Sequence, residues 1–409
     1  MSNRVCTAAT AAPPLQDAPP VDGMARTAAE PELKIAFVSP GTYPPDFAGA
    51  QLRLHRTFLR LRKRQPLSVR VLALAGETTQ VGWSELDGIP VRRLPPNAGF
   101  LSTFWRAGAH LWDERKAGFD LVYCVTTGRL VYSMGAWARL MRRPLVVEFV
   151  NNNIEDTPAR RLMAQQLARS ATLAIAISRP IFDQFRRLGV PEERIWVRPN
   201  PVDTARFRIP TEAERAAARQ RLGVEPGTLL HLLVGGLSKR KNHAVGIGAI
   251  ERLPAHHRLL MAGPVMADER QYAADLASRI ALSPAAARLS LISKFVPDVE
   301  RLMYAADCLW MPSIEEGLGN VMLEALCCGV PCVISDRLGL GEHIRGDDDG
   351  CAAPPLPAEW AAAVTSIEAL MRNPQARRAL GLRSQAAYAF PAIDAELLRR
   401  LNLIRANAP

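Results

Sequence analysis

No stretch of this sequence is long and apolar enough to cross a bilayer. The roughly 18 to 20 residues of a membrane span are missing, and the longest apolar segments, such as "ATLAIAIS" (171–178), suit buried strands. Residues 1–31 lack the continuous apolar core of a secretory signal. They are rich in Ala and Pro and read as a disordered tail, with Met24 as an alternative start and the first convincing strand beginning at Leu33. The seven cysteines lack a second Cys/His pair at zinc spacing, so Cys327, Cys328 and Cys332 read as small buried hydrophobes in a reduced, cytoplasmic protein. Aromatic residues are scarce, at 6%, and are not interleaved with cations in any nucleic-acid recognition motif. The net charge of +11 therefore points away from nucleic acid. A phosphorylated substrate, an anionic membrane surface or solvated helix faces account for it better.

What the chain does have is alternation. With 409 residues, 48% of them hydrophobic, it can bury two ordinary cores. Compact apolar runs at 33–40, 67–74, 89–95, 120–125, 143–150, 172–178 and 195–203 read as strands, with helical segments between them. The helix 211–223 opens on a Thr211/Glu214 capping box and starts the pattern again. Further strands fall at 229–237, 257–264, 289–295, 307–313 and 331–335, and a helix of apolar and Arg residues closes the chain at 392–406. This order predicts an α/β protein of two doubly wound, Rossmann-like domains, at 32–207 and 208–388, with 389–409 returning to the first.

One segment, "PSIEEGLGNVMLEALCCGVPCVIS" (312–335), carries chemistry. A strand ends in Pro-Ser, a Gly-containing loop follows, and an apolar helix begins. Free backbone N–H groups at that helix start would hold a phosphate, and Gly317 and Gly319 would let the chain approach it. Glu316 and Glu324, on either side, would repel the anion but accept hydrogen bonds from sugar hydroxyls at its two ends. A nucleoside-diphosphate sugar has that layout. "GGLSKRKN" (235–242), with Lys239, Arg240 and Lys241, also follows a strand and opens a helix, and reads as a second anion site. Neither place has an Asp-x-Asp pair. The "DDD" run (347–349) reads as a solvated acidic turn, so no metal and no other cofactor is expected.

These motifs resemble the retaining family 4 glycosyltransferases of the GT-B fold, over residues 33 to about 405. The match runs through "AGAQ" (48–51), "AISRPIFDQFRRLGVPEERIWVRPNPVDTARF" (176–207), "FVPDVERLMYAADCLWMPS" (295–313) and the Glu316-to-Glu324 segment, in that order. The resemblance implies two domains facing a cleft that closes on the donor, with the C-terminal helix packing back on the first domain. It implies that Glu316 holds the donor sugar and Glu324 the ribose. The backbone of Leu318, Gly319, Asn320 and Val321 would contact sugar and pyrophosphate, and Lys241 the leaving diphosphate. Gly49 would approach the phosphates, and Phe295 and Val296 would meet the base.

Two positions depart from the family pattern. Gly236 stands where the family usually has a diphosphate-clamping Arg, which leaves Lys239 or Arg240 as its substitute. The segment "EFVNNNIED" offers Asn151, Asn152 or Asn153 where a His is common, and an amide orients a hydroxyl without shuttling a proton.

The implied activity is retaining transfer of a hexose from a nucleotide-diphosphate sugar to an acceptor hydroxyl, in bacterial glycan, glycolipid or polysaccharide synthesis. The acceptor would be a glycan or lipid-linked molecule. A nucleotide-sugar epimerase or phosphorylase on the same fold, and an impaired module that only binds a partner, are the alternatives. The Arg-rich segments 51–64 and 129–143 of the first domain suit a protein peripheral to the cytoplasmic face of an anionic membrane.

Overall fold

Short apolar runs closed by Pro, Gly or Ser alternate with longer segments of helical period, and the alternation builds two sheets, parallel but for one edge strand. The computed structural model describes residues 31–44, 49–76, 79–96, 99–150, 157–266, 269–315, 319–338, 341, 344 and 348–408. Among these, Asn200–Ala392 form one compact unit; the residues before Asn200, with Ile393 onward, form the other.

The amino-terminal unit runs β1 (Leu33–Val38), α1 (Gly49–Arg62), β2 (Leu67–Leu74), β3 (Gly82–Leu86), β4 (Ile89–Leu94), α2 (Phe100–Ala117), β5 (Leu121–Val125), α3 (Arg129–Leu140), β6 (Leu145–Phe149), α4 (Pro158–Arg169), β7 (Leu173–Ala176), α5 (Arg179–Arg187) and β8 (Ile195–Val197). Its eight-stranded sheet has the order β3-β4-β2-β1-β5-β6-β7-β8. The strand expected third, at 89–95, is in fact fourth. Residues 82–86 form an antiparallel edge strand that the reading missed, because an edge strand facing water has no apolar run to reveal it. The strand expected at 195–203 stops at Val197.

The carboxyl-terminal unit runs α6 (Glu212–Arg221), β9 (Leu229–Val234), α7 (His243–Ile250), β10 (His257–Ala262), α8 (Arg270–Leu282), β11 (Leu289–Ile292), α9 (Val299–Ala305), β12 (Cys308–Met311), α10 (Asn320–Cys327), β13 (Cys332–Ser335), β14 (Gly350–Ala353), α11 (Pro357–Ser366), α12 (Glu368–Arg372) and α13 (Pro374–Tyr388). The sheet order is β11-β10-β9-β12-β13-β14, all parallel. The capping box of α6 is present: the Thr211 side chain accepts from Glu214 N, and Glu214 accepts from Thr211 N. Strand β14 was not foreseen, since Gly-Cys-Ala-Ala carries little pattern. It pairs so closely that a Cβ on Gly350 would lie 1.9 Å from the Cys332 carbonyl oxygen.

The unit boundaries move from 207/208 and 388/389 to 199/200 and 392/393. The reason is packing. Val202 N donates to Tyr388 O, and Val202 and Phe207 belong to the carboxyl-terminal core. The final helix α14 (Phe390–Ala406) gives Leu397, Leu398 and Leu401 to the amino-terminal core, and its Asp394 accepts two bonds from the Arg60 guanidinium.

That ion pair is one of several that revise the basic-helix reading. Arg53 pairs with Glu148, and His55 is buried between Tyr43 and Asp87. Arg56, Arg62, Lys63 and Arg64 remain exposed. The "DDD" expectation is also corrected at Asp349, which is buried and accepts from Arg383. Cys327, Cys328 and Cys332 are buried in the core.

Glu148, at the end of β6, is fully buried against Tyr123, Arg53 and Arg198, and Arg198 is itself 0% exposed. Burial alone would raise the Glu148 pKa, but the two guanidiniums and the bonds from Arg53 and Tyr123 outweigh it and hold it below the usual range. Removing the carboxylate strands a guanidinium in the core. Glu148→Ala is therefore expected to lower the stability of the amino-terminal unit by about 3 to 5 kcal/mol, read from the urea midpoint.

Candidate functional site

In the carboxyl-terminal sheet the chain leaves β9 toward β10 and β11 on one side, then crosses back to β12, β13 and β14 on the other. The crevice beyond the carboxyl ends of β9 and β12 is thus the topological switch point, where open α/β sheets bind ligands. Both anion loops read from the sequence open there. Residues 235–242 follow β9 and residues 312–319 follow β12.

The two loops are tied together. Ile314 N donates to Arg240 O at 2.9 Å, the Arg240 guanidinium to Glu315 O at 2.7 Å, and Asn242 Nδ2 to Pro312 O at 3.3 Å. Ser313, between them, is fully buried, and its hydroxyl has no hydrogen-bond partner among the described residues. Lys239, Arg240 and Lys241 form a 3-10 turn. Lys239 and Arg240 are exposed, whereas Lys241 is only 7% exposed. Its stem crosses Gly235, where a Cβ would meet Lys241 Cε at 2.7 Å, and Gly235 has a φ of 151°. The φ at Gly235 favours glycine. At Gly236 a Cβ would lie 2.7 Å from Met266 Sδ. The Met266 thioether, itself 44% exposed, therefore lies beside Gly236.

Opposite stands the start of α10. Gly319 adopts the left-handed conformation, with φ 56°, and turns the first N–H groups of Asn320 and Val321 out of the helix. The Asn320 side chain accepts from Asn200 Nδ2, so its amide is oriented. One turn on, Glu324 is mostly buried, and burial pushes its pKa up to about 7; Arg206 opposes the shift and Glu300 adds to it. Arg206 is held by Glu300 at 2.7 Å and by Pro297 O. That places the loop after β11 beside Glu324. In this loop Phe295 is 72% exposed, and Val296 packs on the core. A half-neutral carboxyl, an exposed ring and a helix N-terminus within one crevice can take a hydroxyl, a planar base and an anion.

Glu316, Gly317 and Leu318 lie outside the described residues, as does Asn151. Gly49 is the first residue of α1, in the amino-terminal unit. Sequence reasoning missed that unit's cavity, of about 790 Å³, at the carboxyl ends of β1, β2, β4 and β5. Its lining includes Phe100, Thr127, Arg129, Tyr132, Arg160 and Met163. The one signal in the sequence was "TTG" (126–128) after β5. Gly128, with φ 153°, lies against Pro40, where a Cβ would come within 3.0 Å.

Comparisons with known proteins bear on both units. Residues 48–201 match a model described as Glycosyl transferase 4-like domain, and residues 229–369 match Glycosyl transferases group 1. A D-inositol 3-phosphate glycosyltransferase of Pseudarthrobacter chlorophenolicus is 28% identical over 76% of this chain and 75% of its own. That of Rhodococcus jostii is 30% identical over 65% of this chain and 57% of its own. Among solved structures, Anabaena HepE in complex with UDP superposes with a TM-score of 0.72 at 22% identity, covering 91% of this chain and all of its own. Sucrose-phosphate synthase of Thermosynechococcus elongatus gives 0.67 at 18% identity, over 92% of this chain and all of its own. These likenesses fix the fold as GT-B. With both halves matched in order, the chain belongs to the family 4, or group 1, glycosyltransferases.

Proposed function

We propose that this glycosyltransferase moves a hexose from a nucleotide-diphosphate sugar to an acceptor hydroxyl with retention of the anomeric configuration. The observation that carries the reading is the pairing, across the β9/β12 switch point, of the Lys241 ammonium lying over Gly235 with the α10 N-terminus and Glu324. Lys241 and the N–H groups of Asn320 and Val321 take the diphosphate, Glu324 the ribose, Glu316 the sugar hydroxyls, and the Phe295–Val296 turn the base. Arg240 is committed to Glu315 O, so exposed Lys239 is the substitute for the arginine absent at Gly236. A uridine nucleotide is the first donor to test, since Anabaena HepE is seen with UDP and with UDP-glucose.

In the proposed step the acceptor oxygen bonds to the anomeric carbon on the face the diphosphate is leaving. The C–O bond to the diphosphate breaks with its electron pair, and the acceptor proton passes to the departing phosphate oxygen. Charge grows on the diphosphate, and the fixed cation and helix N-terminus stabilise it. No side-chain base is needed, and neither is a metal. The amino-terminal cavity supplies the acceptor seat. Its mixture of apolar, hydroxyl and arginine side chains suits a glycan or lipid-linked acceptor of bacterial glycan synthesis.

The working location proposed is the cytoplasmic face of an anionic membrane. No described helix is long and apolar enough to cross a bilayer. The amino-terminal unit exposes Arg56, Arg62, Lys63 and Arg64 on and just after α1, and Arg139 and Arg142 beside exposed Leu140. Each cation near the surface contributes about 1 kcal/mol.

Four outcomes test the reading. Transfer assayed with the donor should fall about a hundredfold in Glu316→Ala, and by about 2 to 4 kcal/mol of transition-state stabilisation in Lys241→Ala. UDP titrations should show weaker binding in Lys239→Ala, whereas Arg240→Ala should lose turnover more than affinity. Near wild-type transfer in Glu316→Ala or Lys241→Ala sinks the assignment.

The second outcome is a pH dependence. Glu324 accepts ribose hydroxyls fully only when ionised, so donor affinity should rise as pH rises through about 7 and be flat in Glu324→Gln. Stability without ligand has the opposite sign. The unfolded carboxyl titrates near 4.5, so its contribution falls as pH rises from there through about 7. Third, turnover should persist in EDTA, and complete loss rescued by magnesium or manganese would contradict it. Fourth, co-sedimentation with anionic but not neutral vesicles, weakened by salt, supports the membrane location. No binding to anionic vesicles at low salt removes it.

A further inference from the structure

A second cluster lies at the amino end of the carboxyl-terminal sheet, the opposite edge from the loops after β9 and β12. His257 is the first residue of β10, His256 precedes it, and Glu368 opens α12. The ring nitrogens of the two histidines and a carboxylate oxygen all lie within 4.8 Å of one another. His256 Nε2 is 3.3 Å from Glu368 Oε1, and His257 Nε2 is 3.6 Å from Glu368 Oε2.

The second of these distances is informative. His257 is fully buried, and its Nε2 has no hydrogen-bond partner among the described residues. A buried polar atom left without a partner is costly, and 3.6 Å is too long for a hydrogen bond to the carboxylate. It is close to the separation of two ligands on one ion. Bonds of about 2.0 to 2.1 Å in tetrahedral geometry place ligand atoms about 3.3 Å apart.

The other ring nitrogen is already supported. His257 Nδ1 lies 2.8 Å from His231 Nε2, the two rings near-parallel and joined edge to edge, and Trp310 stacks on the His231 ring. With the proton on His257 Nδ1 donated to His231, the ring is oriented and the Nε2 lone pair faces Glu368. Metal-bound histidines are held by such an outer bond.

We infer that His256, His257 and Glu368 form a site for a divalent ion of the zinc type, with His231 orienting His257. Two imidazoles and one carboxylate favour zinc over magnesium, which prefers oxygen ligands alone. Three protein ligands leave the fourth position to water. Arg372 bonds Glu368 Oε1 at 2.8 Å and leaves Oε2 for the ion. His256 is half-exposed and can turn its ring to close the set. The ion would clip the start of β10 to α12, a structural role remote from the sugar-nucleotide crevice and independent of the proposed transfer.

The test uses the full chain without a histidine tag, stripped with EDTA and exchanged into chelator-free buffer. Calorimetric titration with zinc chloride should show one saturable ion per chain, and zinc should raise the thermal midpoint by several degrees. Magnesium should do neither. His256→Ala and Glu368→Gln, both at side chains that reach solvent, should fold, bind zinc at least about tenfold more weakly and lose the zinc-dependent rise. Arg372→Ala should keep both. No saturable zinc binding, or unchanged binding in His256→Ala and Glu368→Gln, overturns the site.

Discussion

Two strand ends in the carboxyl-terminal unit approach too closely for any side chain to stand between them. A Cβ on Gly263 would lie 1.9 Å from the Gly235 carbonyl oxygen, and Gly235 N donates to Ala262 O at 3.0 Å. The pairing of β9 and β10 is therefore carried past the last strand residue, and Leu237 N continues it onto Pro264 O. The consequence is positional. The backbone turns sharply at Gly235, with a φ only glycine accepts readily, and the Lys241 stem lies in the groove so formed. A lysine on a free loop would explore many rotamers; this one is confined before any ligand arrives. Preorganisation of that kind is what makes a cation effective against developing charge.

The loop after β12 inherits its position from the same turn. Arg240 and Asn242 bond to the backbone of residues 312–315, so the loops after β9 and β12 are tied together. The cations therefore differ in role although the sequence presents them as a triplet. Lys241 is buried, Arg240 is a brace and Lys239 is the one exposed cation of the three not bonded to that loop backbone in the described geometry. Glu324 sits on the core side of the same crevice. Its raised pKa follows from the helix that carries it, whose neighbours Leu323, Ala325 and Leu326 are all buried.

The sequence revealed most of this fold because parallel strands are continuous apolar runs with glycine and proline punctuation. It failed where that rule fails. Strand β3 is polar and at an edge, and β14 is small residues held by backbone proximity. Around the candidate site, the turn after β9 and the start of α10 were legible as strand end, glycine turn and helix start. The distinct roles of Lys239, Arg240 and Lys241 were not, since burial is a tertiary property. The helix 51–64 was misleading for the same reason. Its arginines read as one basic face, yet Arg53 and Arg60 neutralise Glu148 and Asp394, which are distant in sequence. The amino-terminal cavity and the His256–His257–Glu368 cluster were invisible, because each gathers residues from several elements that share no local motif.

Gly236 stands where the family pattern has an arginine, and its surroundings leave little room beside the turn. An arginine there would project from the turn whose next-door space is taken by Met266. Methionine is unbranched and polarizable, and fills an irregular gap at little conformational cost. The β9 and β10 loops are joined by the Leu237 N to Pro264 O bond, and the Met266 thioether, itself 44% exposed, lies beside Gly236. The charge cannot be replaced by packing. It can be replaced only by a cation whose backbone is already fixed near the same anion position, and Lys239, two residues beyond Leu237 on the same braced turn, meets that condition. Under the proposed function, the charge that one arginine carries in the family pattern would fall to Lys239, on the turn that begins two residues beyond Leu237.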